Sequence, residues 1–138
     1  MSLFSIFDTA GSALDAQSLR LNLVSSNLAN ADSVSSSSDR TYRARLPVFE
    51  TVLRDAHGRR RETPGVRVRA VVESQAPLRK EYHPESPAAD RDGYVYLPNV
   101  NTVEQMADMI SASRAFQGNV ELINTSKQML LRTLALGR

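Results

Sequence analysis

Two histidines, a run of three arginines, an acid-rich turn and a pair of serines are the residues of this chain whose types could do chemistry. His57 and His83 stand far apart, without carboxylates at metal-ligand spacing, so a zinc or iron site is not expected. With no cysteine in the sequence, neither a thiolate metal site nor a disulfide frame can form. Asp90-Arg91-Asp92-Gly93 opens like a calcium loop, but the third acidic ligand and the closing glutamate are missing, which makes it a tight turn. Ser25 and Ser26 lie in no Gly-x-Ser-x-Gly elbow, and no glycine-rich phosphate loop occurs. Arg59, Arg60 and Arg61 could meet nucleic acid, yet no aromatic platform accompanies them, and Asp55 and Glu62 flank the run. A solvated loop, or a contact with an acidic protein surface, is the expected role. The residues thus give no catalytic constellation and no cofactor or metal site, and the chain is expected not to be an enzyme.

What remains is organisation. At 138 residues the chain is one ordinary domain or two small pieces. No apolar run approaches the roughly 18–20 residues of a membrane span, so direct lipid insertion is not expected. The first 17 residues lack a basic n-region and an uninterrupted apolar h-region, so any export would leave the N-terminus uncleaved. The net charge of +2 hides an uneven distribution: residues 1–38 hold four charged side chains, residues 39–98 hold 21, and residues 99–138 hold seven. A solvated helix normally carries charge on its outer face. Here the face opposite the apolar stripe is Ser, Thr, Asn and Gln, as expected of a helix whose outside also meets protein.

Both ends of the chain are helical in pattern. Phe7, Ala10, Leu14, Gln17, Leu21, Val24, Leu28 and Ala31 step by three and four, which predicts a helix over about 8–31 with Asp8 as N-cap and Gly11 as a weak point. An ordinary core-facing helix fits this stripe as well as a coiled-coil seam does. Met106, Met109, Ser113, Phe116, Val120, Ile123, Lys127, Leu130 and Leu134 repeat the steps, with Ile110, Met129 and Leu131 widening the stripe. That predicts a helix over 102–136, capped by Asn99 or Asn101 with Glu104 in a capping-box position, and stopped at Gly137. Such a helix is about 50 Å long, too long for a compact chain of this size.

The middle reads as β. Residues 41–54 and 65–74 carry β-branched and aromatic residues with partial alternation, and 93–98 make a short third strand. Residues 55–65 form a polar loop, and Pro77, Pro84 and Pro87 keep 75–93 extended and turn-rich. The fold class is therefore α+β: long N- and C-terminal helices pair as a coiled coil around a small central β-rich segment. The paired terminal-helix domain takes residues 1–35 and 99–138, and the β-rich domain takes 36–98. Ser35–Ser38 serve as a flexible exit from the first helix.

Several stretches agree in order with one family. Residues 13–33, ALDAQSLRLNLVSSNLANADS, closely resemble the N-terminal signature of the bacterial flagellar axial proteins, the rod, hook and hook-associated subunits. Residues 119–137 are similar to their partner helix, and YRARLPVFE (42–50) with residues 93–121 resembles the proximal-rod members. The residues after the signature and the 57–65 loop depart from the family pattern. The resemblance implies a structural subunit of the basal-body proximal rod, exported unfolded by the flagellar type III apparatus without a cleaved signal peptide. It would assemble helically in the periplasm into a torque-transmitting shaft around the export channel. Implied partners are copies of itself, the other proximal-rod and distal-rod subunits, and the MS and P rings, with no nucleic acid. The expected interface residues are Leu14, Gln17, Leu21, Val24, Asn27, Leu28, Asn30, Met106, Met109, Phe116, Val120, Ile123, Leu130 and Leu134. Gln17, Ser113 and Lys127, polar on the seam, would fix register. Competing readings are a soluble helical adaptor or export chaperone acting as a free dimer, and a nucleic-acid binder using Arg59–Arg61.

Overall fold

The computed structural model describes residues 3–54 and 60–136. Helix α1 spans Leu3–Ala29 and helix α2 spans Thr102–Leu136. Between them lie a 3-10 turn at Ser38–Arg40 and four strands: β1 Arg45–Arg54, β2 Arg60–Glu73, β3 Arg79–Tyr82 and β4 Tyr94–Leu97. The strands form two separate two-stranded antiparallel sheets, β1–β2 and β3–β4. The α+β class therefore holds.

α2 has the expected bounds. Its cap is Asn101, whose Oδ1 accepts from the backbone N–H of Val103 at 3.1 Å and of Glu104 at 3.4 Å. Asn99 is not the cap; it has a bridging role described below. Gly137 lies outside the described residues. α1 starts five residues earlier than expected, so Asp8 is an interior helix residue and not its N-cap. Its C-terminal end is closed by its own signature: Asn30 Nδ2 donates to the Ser26 carbonyl at 2.8 Å, and Ala31 N–H to Leu28 at 3.2 Å. These bonds satisfy carbonyls that a helix end leaves without partners.

Three expectations for the middle are corrected. Residues 60–64 belong to β2, not to a loop, and pair across an irregular stretch where Arg54 meets Arg60 and Val52 meets Gly65. The offset absorbs Pro64, which cannot donate to a regular ladder. Residues 55–59, with Arg59, lie outside the described residues. Arg79–Tyr82 is a strand and not merely extended, because it finds β4 as partner in the register Arg79↔Leu97 to Tyr82↔Tyr94. Finally, Ser35–Ser38 are not a loose exit. Ser35 and Tyr96 exchange backbone hydrogen bonds at 3.0 and 2.9 Å, and Thr41 Oγ1 donates to the Ser37 carbonyl at 2.8 Å.

Asp90–Gly93 is the expected tight turn. Asp90 Oδ1 accepts from the N–H of Asp92 and Tyr94, at 2.9 and 2.8 Å. Gly93 has φ +82, and a Cβ there would come within 2.8 Å of a Tyr82 ring carbon. Above the turn, Lys80 Nζ sits 4.2 Å from the Tyr94 ring centroid, and Tyr82 meets Tyr94 edge-on at 5.2 Å.

The two long helices pack side by side and antiparallel. Asn27 meets Gln105, Arg20 meets Asp108, and Ala10 and Ala13 lie by Asn119. The β1–β2 ribbon lies along α1, tied by Thr9 Oγ1 to the Pro64 carbonyl and by Val66 N–H to Ser12 Oγ, at 3.3 and 3.2 Å. A small core of Ala31, Ala44 and Val100, with Tyr42 against it, joins the helix ends to the start of β1. No helix among the described residues is long and apolar enough to cross a membrane.

Candidate functional site

The densest polar contacts gather where α1 ends, β1 begins and α2 begins. Asn27 is the hub. Its Nδ2 donates to Gln105 Oε1 at 2.8 Å and to the Arg45 carbonyl at 3.0 Å. Its Oδ1 accepts from Tyr42 Oη and the Arg45 backbone N–H, both at 2.9 Å. A primary amide has two N–H donors and two acceptor lone pairs, so Asn27 is fully used. At 1% exposure it needs to be, since an unpaired buried amide is costly.

Asn99 does the equivalent job one layer away. Its Oδ1 accepts from Ala44 N–H at 2.8 Å, and its Nδ2 donates to the carbonyls of Ser74 and Ala76 at 3.1 and 2.8 Å. Two asparagines thereby fix the root of the β1–β2 ribbon, where β1 begins and β2 ends, to the ends of the helix pair. The sequence signal for Asn99 was present but read as a cap, because capping and bridging asparagines look alike in sequence. Tyr42 completes the junction, its hydroxyl also 3.2 Å from Ser26 Oγ and its ring under the Arg45 guanidinium.

Along the helices, the covered residues coincide with the expected seam residues at every second position and are offset by one residue at the others. On α1 one buried or half-buried line runs Ala10, Ala13, Gln17, Arg20, Val24, Asn27 and Ala31, while Ala16, 4% exposed, lies by Val66 and Val68 of β2. On α2 they run Gln105, Met109, Ala112, Phe116, Asn119, Ile123, Ser126 and Leu130. Both step by three and four. Gln17, Val24, Asn27, Met109, Phe116, Ile123 and Leu130 therefore belong to the covered side. Leu14, Leu21 and Leu28 fall one residue off that line on α1 and are half-buried, as is Asn30 at the helix end. Met106, Val120 and Leu134 fall off it on α2 and are exposed at 56, 37 and 67%.

The reason for the offset lies in size. Ala112 and Ser126 are fully buried and Gln105 nearly so, and small residues let two backbones approach closely. Larger side chains at those positions would hold the helices apart. Of the residues expected to set register, Ser113 is half-buried and Lys127 exposed, while Gln17 Oε1 is buried without a hydrogen-bond partner, like Ser126 Oγ. Arg20 and Asp108 add a 2.6 Å ion pair at the partly open edge of the seam.

No group of His, Cys, Asp or Glu among the described residues is arranged to hold a metal ion. The arrangement is suited to positioning and contact: a bonded junction, a closely packed helix pair, and an apolar flank turned outward.

Residues 7–35 match the family model for flagella basal body rod proteins, and residues 91–136 match the model for the C-terminal part of the flagellar basal body rod FlgEFG proteins. The first match contains α1 with Asn27, the second contains Asn99 and α2. The flagellar basal-body rod protein FlgC of Salmonella typhimurium is 51% identical over the full length of both chains. That of Escherichia coli O6:H1 is 52% identical over the same extent, and that of Borreliella burgdorferi is 37% identical over 99% of this chain and 98% of its own. With half of its residues shared across its full length, the chain belongs to the flagellar basal-body rod protein family, within its FlgC group.

Proposed function

We propose that the chain is a structural subunit of the proximal rod of the bacterial flagellar basal body, built to assemble helically through its terminal helices. The observation that carries this reading is the outward flank of α2. Val103, Met106, Ile110, Leu131 and Leu134 are exposed at 73, 56, 55, 57 and 67%. Val103, Met106 and Ile110 step by three and four at the start of α2, and Leu131 and Leu134 repeat the step near its end. Exposed apolar clusters at the two ends of one helix, with the polar Gln117 and Asn124 between them, mark contacts with other protein.

The helix pair, residues 1–35 with 99–138, is the axial core in this account, and residues 36–98 form its outer β-rich part. Coiled-coil packing continues from the chain's own helix pair into its neighbours through Leu14, Leu21 and Leu28 on α1 and Met106, Val120 and Leu134 on α2. The neighbours are copies of the same chain, other proximal-rod and distal-rod subunits, and the MS and P rings. The chain reaches them through the flagellar type III export apparatus, with its N-terminus uncleaved. The finished rod spans the periplasm, encloses the export channel and transmits torque, with no catalytic role for this subunit.

A shaft must carry load across many interfaces. Exposed ion pairs contribute only about 0–1 kcal/mol each, so burial of apolar flanks is the stronger device. The test is rescue of a strain lacking the native subunit. A chain carrying Ile110→Asp is expected to be exported and folded but to leave the cells without rods, whereas rods of normal length would refute the assembly role of the flank.

A further inference from the structure

The β1–β2 ribbon meets α1 by one edge only. Along residues 64–66 that edge belongs to β2: the Pro64 carbonyl accepts from Thr9 Oγ1 at 3.3 Å, and the Val66 N–H donates to Ser12 Oγ at 3.2 Å. Val66 is paired with Thr51 of β1. In an antiparallel ladder, a pair either exchanges both of its backbone bonds or turns them all outward. Because the Val66 N–H is turned to Ser12, this pair is of the second kind, and the N–H and C=O of Thr51 point away from β2. Strand alternation gives Phe49 and Leu53 the same orientation. The root of β1 agrees with this phase. Arg45 turns its N–H and C=O to Asn27, and Pro47, next in the series, has no N–H to present.

β1 therefore carries an open edge over residues 49–53, and no hydrogen-bond partner among the described residues covers it. Phe49 and Leu53 beside it are 40 and 60% exposed. A row of unpaired N–H and C=O groups is a template for another strand. β2 is turned to α1, and β4 is bonded both to β3 and to Ser35, so neither has a free side there. β3 has one, at Lys80 and Tyr82, whose partners Tyr96 and Tyr94 turn their backbone groups to Ser35 and Asp90. The two antiparallel registers that use both residues, however, set Glu50 against Glu81 or Arg54 against Arg79. β1 fits a second β1 better. Centred on Thr51, the antiparallel register sets Thr51 against Thr51, Phe49 against Leu53 and Glu50 against Val52 of the second copy. No like charges oppose one another, every outward backbone group meets its complement, and Pro47 falls outside the paired stretch.

We infer that the open edge of β1 pairs with the same edge of a second copy of this chain, joining the two ribbons into one antiparallel sheet in the order β2–β1–β1–β2. The contact is isologous and closes at two copies. Neighbours in a helical rod are related by a repeated rotation and translation, which a two-fold contact does not propagate. The dimer is therefore a state of the free chain, and a paired subunit is withheld from assembly until the edge is released. It uses none of the terminal-helix surface assigned to the rod, so the two readings fail independently.

Sedimentation of the purified chain over a range of concentrations reads the dimer. Leu53→Lys places a charge beside the edge, and Thr51→Pro removes an outward N–H while leaving the β1–β2 ladder its bonds. Both variants are expected to lose the dimer while keeping the circular dichroism of the native chain. Ile110→Asp, on the flank of α2, should dimerise as the native chain does. A second readout is covalent. The sequence has no cysteine, and a hydrogen-bonded antiparallel pair has its Cα atoms about 5.5 Å apart, within disulfide reach. Thr51→Cys should therefore oxidise to a linked dimer faster than Ser18→Cys, an exposed position on α1, and adding Leu53→Lys should remove the advantage. A native chain that stays monomeric when concentrated would overturn the pairing. So would a dimer lost with Ile110→Asp but kept with Leu53→Lys, or equal oxidation of Thr51→Cys and Ser18→Cys.

Discussion

Asn27 and Gln105 meet across the two terminal helices at 2.8 Å, Nδ2 to Oε1, in a site where Asn27 is 1% and Gln105 7% exposed. Two of the other three bonds of Asn27 anchor Arg45, the first residue of β1, and the third comes from Tyr42. The end of α1, the start of α2 and the root of the ribbon are therefore held by one side chain.

Replacing that side chain should be felt throughout the subunit. Asn27→Ala leaves Gln105 Oε1, Tyr42 Oη and both backbone groups of Arg45 without their shared partner. Each buried group left unpaired costs about 1–3 kcal/mol. Urea unfolding of the purified chain is expected to show a loss of at least about 2 kcal/mol, after relaxation and water entry. A loss below about 0.5 kcal/mol, the range of an ordinary surface change, would contradict the hub role.

Gly93→Ala addresses the smaller sheet. The φ of +82 disfavours any side chain, and the new Cβ would sit 2.8 Å from a Tyr82 ring carbon and 3.2 Å from Pro84 Cβ. The left-handed conformation alone costs about 1–2 kcal/mol for an L-residue. The expected result is a destabilised β3–β4 hairpin, seen as accelerated amide exchange at His83 and Tyr94 with α1 and α2 unaffected.

The offset seams predict opposite responses to substitution on the two sides of α2. Ala112 is fully buried, so Ala112→Leu overpacks the helix pair and should lower stability by about 1–3 kcal/mol. Met106 is 56% exposed, so Met106→Asp should change the stability of the isolated chain by no more than about 0.5 kcal/mol. Thermal melts of the two variants read the contrast directly.

Hydrogen exchange in the dilute chain should divide α2. Residues 102–126, covered by α1, are expected to be protected, and residues 131–136, all exposed, to exchange rapidly, because a helix end with few packed contacts opens cheaply. In isolated rods the second group should become protected as well. Equal protection of both groups in the dilute chain would contradict a loosely packed end of α2.

The parts of the fold readable from sequence are those set by local chemistry. Asn101 followed by Glu104, with no proline after Pro98, determined α2 to the residue. Asp90 and Gly93 determined their turn. The β3 strand was not readable, because Arg79–Tyr82 is wholly exposed and is a strand only by virtue of pairing with β4. The start of β2 was hidden by Pro64, which reads as a breaker but is absorbed by the register offset. The start of α1 was missed because Asp8 resembles a cap.

The seam is the more instructive case. A three-and-four pattern gives the period and the stripe, but not which edge of the stripe turns toward the chain's own partner. Scoring apolarity favoured Met106, Val120 and Leu134. The covered line instead uses Gln105, Ala112 and Ser126, because close approach requires small side chains and Gln105 has Asn27 to bond. In a chain that assembles, the largest apolar residues need not point inward. The signature around Asn27 was recognisable as a motif, while its four intramolecular bonds emerge only when β1 and α2 are brought to it.

The central claim, that the outward flank of α2 is an assembly surface, is tested most directly by counting rods in cells whose only copy of this subunit carries Ile110→Asp. Ile110 is 55% exposed and lies off the covered line of α2, so the variant should fold and be exported. The account predicts exported subunit, no rods and no swimming. Rods in normal number, with swimming at the native rate, would contradict it.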